Sequence, residues 1–489
     1  MKARLFEAVV LILFLAVCTY QLFIPPLMGI ADNGDFERMR VPNGISRVPT
    51  EATDQRFDYY VSKFAIVPQP NVGIYYYHSS THLFVSVARW LNVLLISDRI
   101  FDVRVLAAVY TICFLAGIEM ILLFSRPWPF IWRCLLAASL LVMFTDTAYT
   151  AYFSSFYSEP TAFVALLILV GCSLLIMSRQ WTGWIALSVY FATAAVLVTA
   201  KPMYVPFAVL FAPFGVYLSR FLSTRIRYRW SIAMAGVLVV LAIAYQSITP
   251  NWLRMKASYI AVFSELLKKS PDPAADLKAL QLKPEWIRYV GTTPYDADGP
   301  VETDPKFPAE FMEHIHTLTI PRFLIGRPAQ FYRVAAEVAP QMVQTLPDYA
   351  GFYEESSARP ARSKPVAHWS SIRARFFPAR LWMLIGYFMT GVIAFFVALR
   401  KGVSEFTRGL LFLFTLLVGF GAILFVVPVL TMASIDTRYS ATFTSAFDLS
   451  LITAAGMLIW LLWRLFDFDA KRKHGHFVDE SFRKNSTIH

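Results

Sequence analysis

The chain has 489 residues, of which 57% are hydrophobic and only 16% charged. Soluble domains carry about 25% charged residues, so a soluble globular protein is excluded and an integral membrane protein is indicated. The net charge of +12 gathers in connections between apolar runs, which reads as membrane sidedness and not as a nucleic-acid surface.

Met1-Lys2-Ala3-Arg4 and the apolar run behind it resemble a signal peptide, but no small-x-small cleavage site follows, so the run is read as an uncleaved span. Runs of spanning length recur near 5–25, 103–125, 134–151, 160–178, 182–200, 203–219, 230–248, 381–399, 408–430 and 442–463. At about 20 residues each they predict an all-α membrane protein with about ten transmembrane helices. Arg126, Arg133, Arg179, Arg220, Arg225, Arg227, Arg229, Arg400, Lys401, Arg408 and Lys471-Arg472-Lys473 fall on alternate connections. The positive-inside rule then places both termini in the cytoplasm and residues 26–102 and 249–380 outside. Four parts are expected. They are a transmembrane module over 1–248 that contains the first outer loop (26–102), an outer domain over 249–380, membrane helices over 381–465 and a cytoplasmic tail over 466–489. Cys18, Cys113, Cys134 and Cys172 all lie inside apolar runs and form neither a disulfide nor a metal motif.

The first polar stretch after a span is Gly29-Ile30-Ala31-Asp32-Asn33-Gly34-Asp35-Phe36-Glu37-Arg38. It sets two carboxylates where a membrane helix meets water, with Gly34 able to turn both towards one point. Such acids can take a proton from a hydroxyl, pair with a cation, or simply cap a turn. Residues 41–80 then read as loop, with Pro42, Pro49, Pro68 and Pro70. Tyr75-Tyr76-Tyr77-His78 fits an interfacial aromatic belt. Residues 81–97 place Leu83, Phe84, Val87, Trp90, Leu91 and Leu94 on one helical face, as in an interfacial helix on the outer leaflet. His78 and His82 stand four residues apart but lack a third ligand nearby, so no metal site is expected.

A second polar stretch, Asp146 to Pro160, joins the third and fourth runs on the same side and carries Tyr152 and Glu159. An ionisable group so close to the apolar core usually faces a polar cavity. Lys201 breaks the charge pattern in a short outer loop, which fits either snorkelling or a bound anion. Residues 249–380 are punctuated by Pro271-Asp272-Pro273, Asp296-Ala297-Asp298-Gly299-Pro300 and Pro347-Asp348-Tyr349-Ala350-Gly351. They predict a small, mainly helical cap, with helix over 317–345. Between the last two runs lie Asp436 and Arg438, again outside.

Ala31-Asp32-Asn33-Gly34-Asp35-Phe36, Phe156-Tyr157-Ser158-Glu159-Pro160 and Ala200-Lys201-Pro202, within this layout, resemble the GT-C superfamily of polytopic glycosyltransferases. They are similar in particular to bacterial membrane hexose transferases of surface-glycan assembly. The resemblance implies a polyprenyl-phosphate sugar donor, a glycan, lipid or protein acceptor, and an outer-loop aspartate (Asp35 or Asp32) as base in an inverting transfer. It further implies residence in a bacterial inner membrane and no cofactor. Chemistry adds that Lys201 and Arg438 can steady the leaving phosphate, with Glu159, Asp146, Tyr152 and Asp436 lining the substrate site. A polysaccharide polymerase or ligase, and a lipid or sugar transporter, fit the same layout.

Overall fold

The computed structural model describes residues 2–48, 57–68, 76–222, 225–316, 318–344, 346–363, 365, 367–377, 380–432 and 438–471, without the side chains of residues 2, 225–226, 438–439 and 460–471. Its helices are α1 (Lys2–Leu22), α2 (Glu37–Arg40), α3 (Thr81–Leu95), α4 (Val103–Phe124), α5 (Phe130–Phe144) and α6 (Thr147–Thr150). They continue with α7 (Glu159–Met177), α8 (Trp184–Val198), α9 (Ala208–Leu218) and α10 (Arg225–Ser247). Between α10 and the closing helices come α11 (Asn251–Tyr259), α12 (Pro273–Ala279), α13 (Pro300–Thr303), α14 (Phe307–His314), α15 (Thr319–Ile325), α16 (Pro328–Val338) and α17 (His368–Phe376). The last three are α18 (Leu381–Leu399), α19 (Glu405–Thr431) and α20 (Arg438–Lys471).

The chain is a mostly helical, multi-pass membrane protein. Among the described residues, eight helices are long and apolar enough to span, and the bent pair α5–α6 makes a possible ninth. The sequence suggested about ten, and two runs account for the difference. The run over 134–151 breaks by 54° after Phe144, where Asp146 starts a new helical turn. The run over 182–200 keeps only the 15 residues of α8 helical, about 22 Å at 1.5 Å per residue, which is short of a bilayer core.

The sequence of α7 is apolar on every side, so it has no polar face to offer solvent. It takes the centre of the bundle, with 94% of its span buried, between α4 on one flank and α8 on the other. At the start of α1, Glu7 is buried and receives Arg126 (2.5 and 2.7 Å) and Arg133 (3.3 Å). Two of the arginines that mark sidedness in the sequence are therefore also the counter-ions of a buried acid.

The first loop contains one piece of structure that the sequence reading left as loop. Ile45–Ser46 (β1), Lys63–Ile66 (β2) and Ile100–Asp102 (β3) form a three-stranded antiparallel sheet in that order, with Ile45 opposite Ile66 and Phe64 opposite Phe101. Strands of two to four residues are too short to show an alternating pattern. The sheet buries Ile45, Phe64 and Phe101 and closes the loop onto the start of α4.

A second latch comes from far along the chain. Residues 351–353 lie between 29–31 and 57–60 as an irregular ladder. Ala31 N–H donates to Gly351 O (2.8 Å), Gly29 N–H to Phe352 O (3.1 Å), Gly351 N–H to Phe57 O (2.9 Å) and Tyr60 N–H to Tyr353 O (3.1 Å). Gly351 is required by close approach, because a Cβ there would stand 2.0 Å from the Asp58 carbonyl oxygen. Gly351→Ala is expected to push the ladder apart and cost about 1–3 kcal/mol, as overpacking does. A lowered thermal unfolding midpoint in detergent reads this directly, and an unchanged midpoint would show that the ladder yields freely.

Candidate functional site

The Asp32–Asp35 stretch is a tight turn, shaped by its own side chains. Gly34 has φ 100°, a conformation that favours glycine. Asp32 Oδ1 accepts from Gly34 N–H (2.7 Å) and Phe36 N–H (3.1 Å), and Asp32 Oδ2 accepts from Arg47 (3.1 Å). Asn33 Oδ1 accepts from Asp35 N–H (3.2 Å). Asp35 opens a short helical turn and pairs with Arg38 at 2.9 Å. The turn is seated on the segment before α7. Tyr157 Oη donates to Ala31 O (2.8 Å) and accepts from Asn33 N–H (3.2 Å), while Phe36 packs edge-on against Phe156 and Tyr157.

Glu159 at the first turn of α7 is 3% exposed and accepts from Lys201 Nζ at 3.0 Å. Its other oxygen, Oε2, is buried without a hydrogen-bond partner among the described residues. The charges of two ion pairs, Asp35–Arg38 and Glu159–Lys201, act on one tyrosine. The hydroxyl of Tyr77 is under the influence of Arg38, Lys201, Asp35 and Glu159, in that order of strength. Burial pushes this phenol above its ordinary range, so it stays protonated at neutral pH.

Segment 77–80 is held by bonds on both sides. His82 bridges Asn43 (2.9 Å, through Nδ1) and Tyr77 O (3.1 Å, through Nε2). Asn43 Nδ2 donates to Met39 O as well, and its Oδ1 accepts from Ser86 Oγ, so Nδ1 of His82 is the acceptor and Nε2–H the donor. On the other side, Tyr245 Oη donates to His78 O (2.8 Å), Ser79 Oγ to Ala200 O (2.7 Å) and Ser80 N–H to Thr199 O (3.1 Å). Burial lowers the pKa of His82 below its ordinary value, near 6.5. A depressed histidine stabilises the fold fully above about pH 6.5 and loses that contribution as pH falls through the folded value. Protonating Nδ1 would also set two donors face to face. The thermal midpoint is therefore expected to drop between pH 7 and 5, and to drop less in His82→Gln. Equal acid sensitivity in both proteins would assign the effect elsewhere.

Asp146 belongs to a different group. It caps α6 through Ala148 N–H (2.8 Å) and accepts from the backbone N–H and hydroxyl of Ser370 on α17 (2.8 and 3.2 Å). Beside it, Arg373 of α17 and Asp448 of α20 pair at 2.6 Å with both side chains fully buried. Tyr149 (2.5 Å) and Trp369 (2.8 Å) also donate to Asp448. Trp369 in turn borders an apolar cavity of about 520 Å³ lined by residues such as Leu136, Val142, Leu449 and Ile452. Tyr152 is buried in the turn after α6, with its ring 6.3 Å from that of Tyr157. Asp436 and the side chain of Arg438 lie outside the described residues. The structure thus gathers Asp32, Asp35, Glu159 and Lys201 near one another and places Asp146 with α17.

Sequence reasoning passed over Arg38, Arg47 and Tyr77 at the first group and Arg373 and Asp448 at the second. Arg38 carried a readable signal, the i,i+3 spacing from Asp35 on a helical turn. Asp448 carried another, as a lone acid within an apolar run. Tyr77 lay in the aromatic run Tyr75-Tyr76-Tyr77-His78, read as an interfacial belt; Arg47 and Arg373 had no signal beyond their residue type.

Three solved structures of oligosaccharyltransferase from Archaeoglobus fulgidus, one of them named AglB, align with most of the chain at 11% identity. The complex with an inhibitory peptide and a dolichol-phosphate has a TM-score of 0.38, over 96% of this chain and 52% of that one. The apo form gives 0.39 over 96% and 52%, and the form tethered to an acceptor peptide containing the NVT sequon gives 0.39 over 95% and 51%. The likeness is distant, and the chain spans about half the length of those chains. No curated protein matches the sequence. The model of one family does match, over residues 2–473, and the chain belongs to that family, described as the YfdI N-terminal transmembrane domain.

Proposed function

We propose that the protein is a membrane glycosyltransferase that moves one sugar from a polyprenyl-phosphate donor to a glycan, lipid or protein acceptor, with inversion. The observation that carries the reading is the pairing of two acids with two cations, all acting on one buried tyrosine, beside the first turn of the membrane helix α7. Such groups are costly at this depth and fit a polar reaction better than a purely structural role. The positive-inside pattern supports placing this end of the bundle outside a bacterial inner membrane, with both termini in the cytoplasm. Nucleotide sugars do not reach that side unaided, so the donor arrives on a lipid.

Asp35 is the base in this reading and Asp32 the organiser of the turn. Three hydrogen bonds already engage the Asp32 carboxylate, and they are what give the loop its shape. The acceptor oxygen attacks the anomeric carbon from the face opposite the phosphate and gives its proton to Asp35. Lys201, held against Glu159, steadies the departing phosphate, a role shared with Arg438. Glu159 and Tyr152 belong to the sugar and acceptor surroundings in this reading, and Asp146 and Asp436 are further candidates for them.

Purified protein incubated with a polyprenyl-phosphate sugar and a glycan acceptor tests the reading. Transfer of a single sugar with inverted configuration is the expected result. A ladder of products would make the protein a polymerase, and vesicle uptake or flipping without a new glycosidic bond would make it a transporter.

A further inference from the structure

We infer that Tyr77 contacts the substrate itself, its hydroxyl donating a hydrogen bond to the bridging phosphate oxygen of the lipid-linked donor as the sugar departs. This rests on the transferase reading above.

Three features of the structure converge on this tyrosine. First, its position is fixed from both sides. The bridge Met39–Asn43–His82–Tyr77 ties it to the helical turn that carries Arg38. The bonds of His78, Ser79 and Ser80 tie the next residues to α10 and to the turn that carries Lys201. A donor held this firmly pays little reorganisation when charge develops in front of it. Second, the side chain is only 6% exposed, yet among the described residues its hydroxyl has no hydrogen-bond partner on the protein. That oxygen is not among the fully enclosed unpaired atoms, so it opens on space that a ligand atom can reach. Third, the nearby cations are each paired with an acid, Arg38 with Asp35 and Lys201 with Glu159, and a neutral hydroxyl adds a hydrogen bond to the departing oxygen without adding charge.

The step balances without further reactants. The acceptor oxygen bonds to the anomeric carbon while the bond from that carbon to the phosphate oxygen breaks. The electron pair stays on the phosphate oxygen, and the acceptor proton passes to Asp35. Tyr77 keeps its proton throughout, and its hydrogen bond strengthens as the oxygen gains charge. That makes it a contact to the transition state more than to the bound donor.

Tyr77→Phe keeps the ring and removes only the hydroxyl. In single-turnover transfer from saturating polyprenyl-phosphate sugar, the rate is expected to fall by about 10²–10³, the usual effect of deleting one such donor. Donor affinity should stay within a few-fold. An unchanged rate overturns the inference, and so does a defect that saturating donor abolishes, because that would make the bond a ground-state contact. Should Tyr77→Phe not accumulate as folded protein, 3-fluorotyrosine at position 77 reads the same bond. A rate that changes with the acidity of the phenol supports it, and a rate equal to that of the unmodified protein overturns it. Wild-type protein that transfers nothing overturns the transferase reading and this inference together, an outcome distinct from active wild type beside an equally active Tyr77→Phe.

Discussion

Asp35→Asn is expected to lower sugar transfer by about 10²- to 10⁴-fold, the range for loss of one general base, while the protein still inserts and melts near the wild-type temperature. The proposed reading gives the two aspartates different roles. Asp32 spends its oxygens on Gly34, Phe36 and Arg47, and an asparagine there can keep the two backbone bonds through its own Oδ1. Asp32→Asn is therefore expected to lose less activity than Asp35→Asn and more thermal stability, and Asp32→Ala to lose more of both than Asp32→Asn. The assay is single-turnover transfer beside thermal unfolding of the same preparations. Full activity in both asparagine variants at normal expression would remove the base from this loop altogether. A larger chemical defect in Asp32→Asn, with normal melting, would exchange the two roles.

Arg373→Leu is expected to give a large loss of stability. Its guanidinium is fully buried, 2.6 Å from an equally buried Asp448, and it also donates to Tyr149 at 3.0 Å. Removing one partner of such a pair leaves an uncompensated charge and costs about 3–5 kcal/mol, whereas replacing both by apolar residues is often neutral. Arg373→Leu combined with Asp448→Leu should thus regain most of the midpoint that the single variant loses. Thermal unfolding in detergent decides it. A single variant that melts with the wild type, or a double variant that melts below both singles, would mean that the pair contributes little. Because α17 also binds Asp146 through Ser370, the single variant is further expected to loosen the α5–α6 bend.

Much of the fold was legible because hydrophobic runs report spans directly. The extent of α3 and its exposed face were legible too. Its exposed Leu83, Trp90 and Leu94, against buried Val85 and Ala88, follow from a period of 3.6 residues. The turn at Asp32-Asn33-Gly34 could be read from glycine and Asx chemistry alone. Partner identity could not. Glu159 and Lys201 are separated by two helix segments, Glu7 and Arg126 by more than a hundred residues, and Arg373 and Asp448 by a whole pair of spans. No local pattern encodes which of many arginines meets which acid, and Arg126 had a sufficient explanation in sidedness. The run over 134–151 misled for a related reason. Hydropathy does not register a helix break when the residues on both sides remain apolar, and Asp146 supplied the break by capping a new turn.

The ladder that joins residues 29–31 to 351–353 has a consequence for biosynthesis. Ribosomes add roughly 5–20 residues per second, and Gly351 follows Asp32 by about 320 positions. The nascent loop therefore waits on the order of half a minute, with the amides of Gly29 and Ala31 lacking their eventual acceptors. That edge of the first loop is completed only after most of the membrane helices before it have been made.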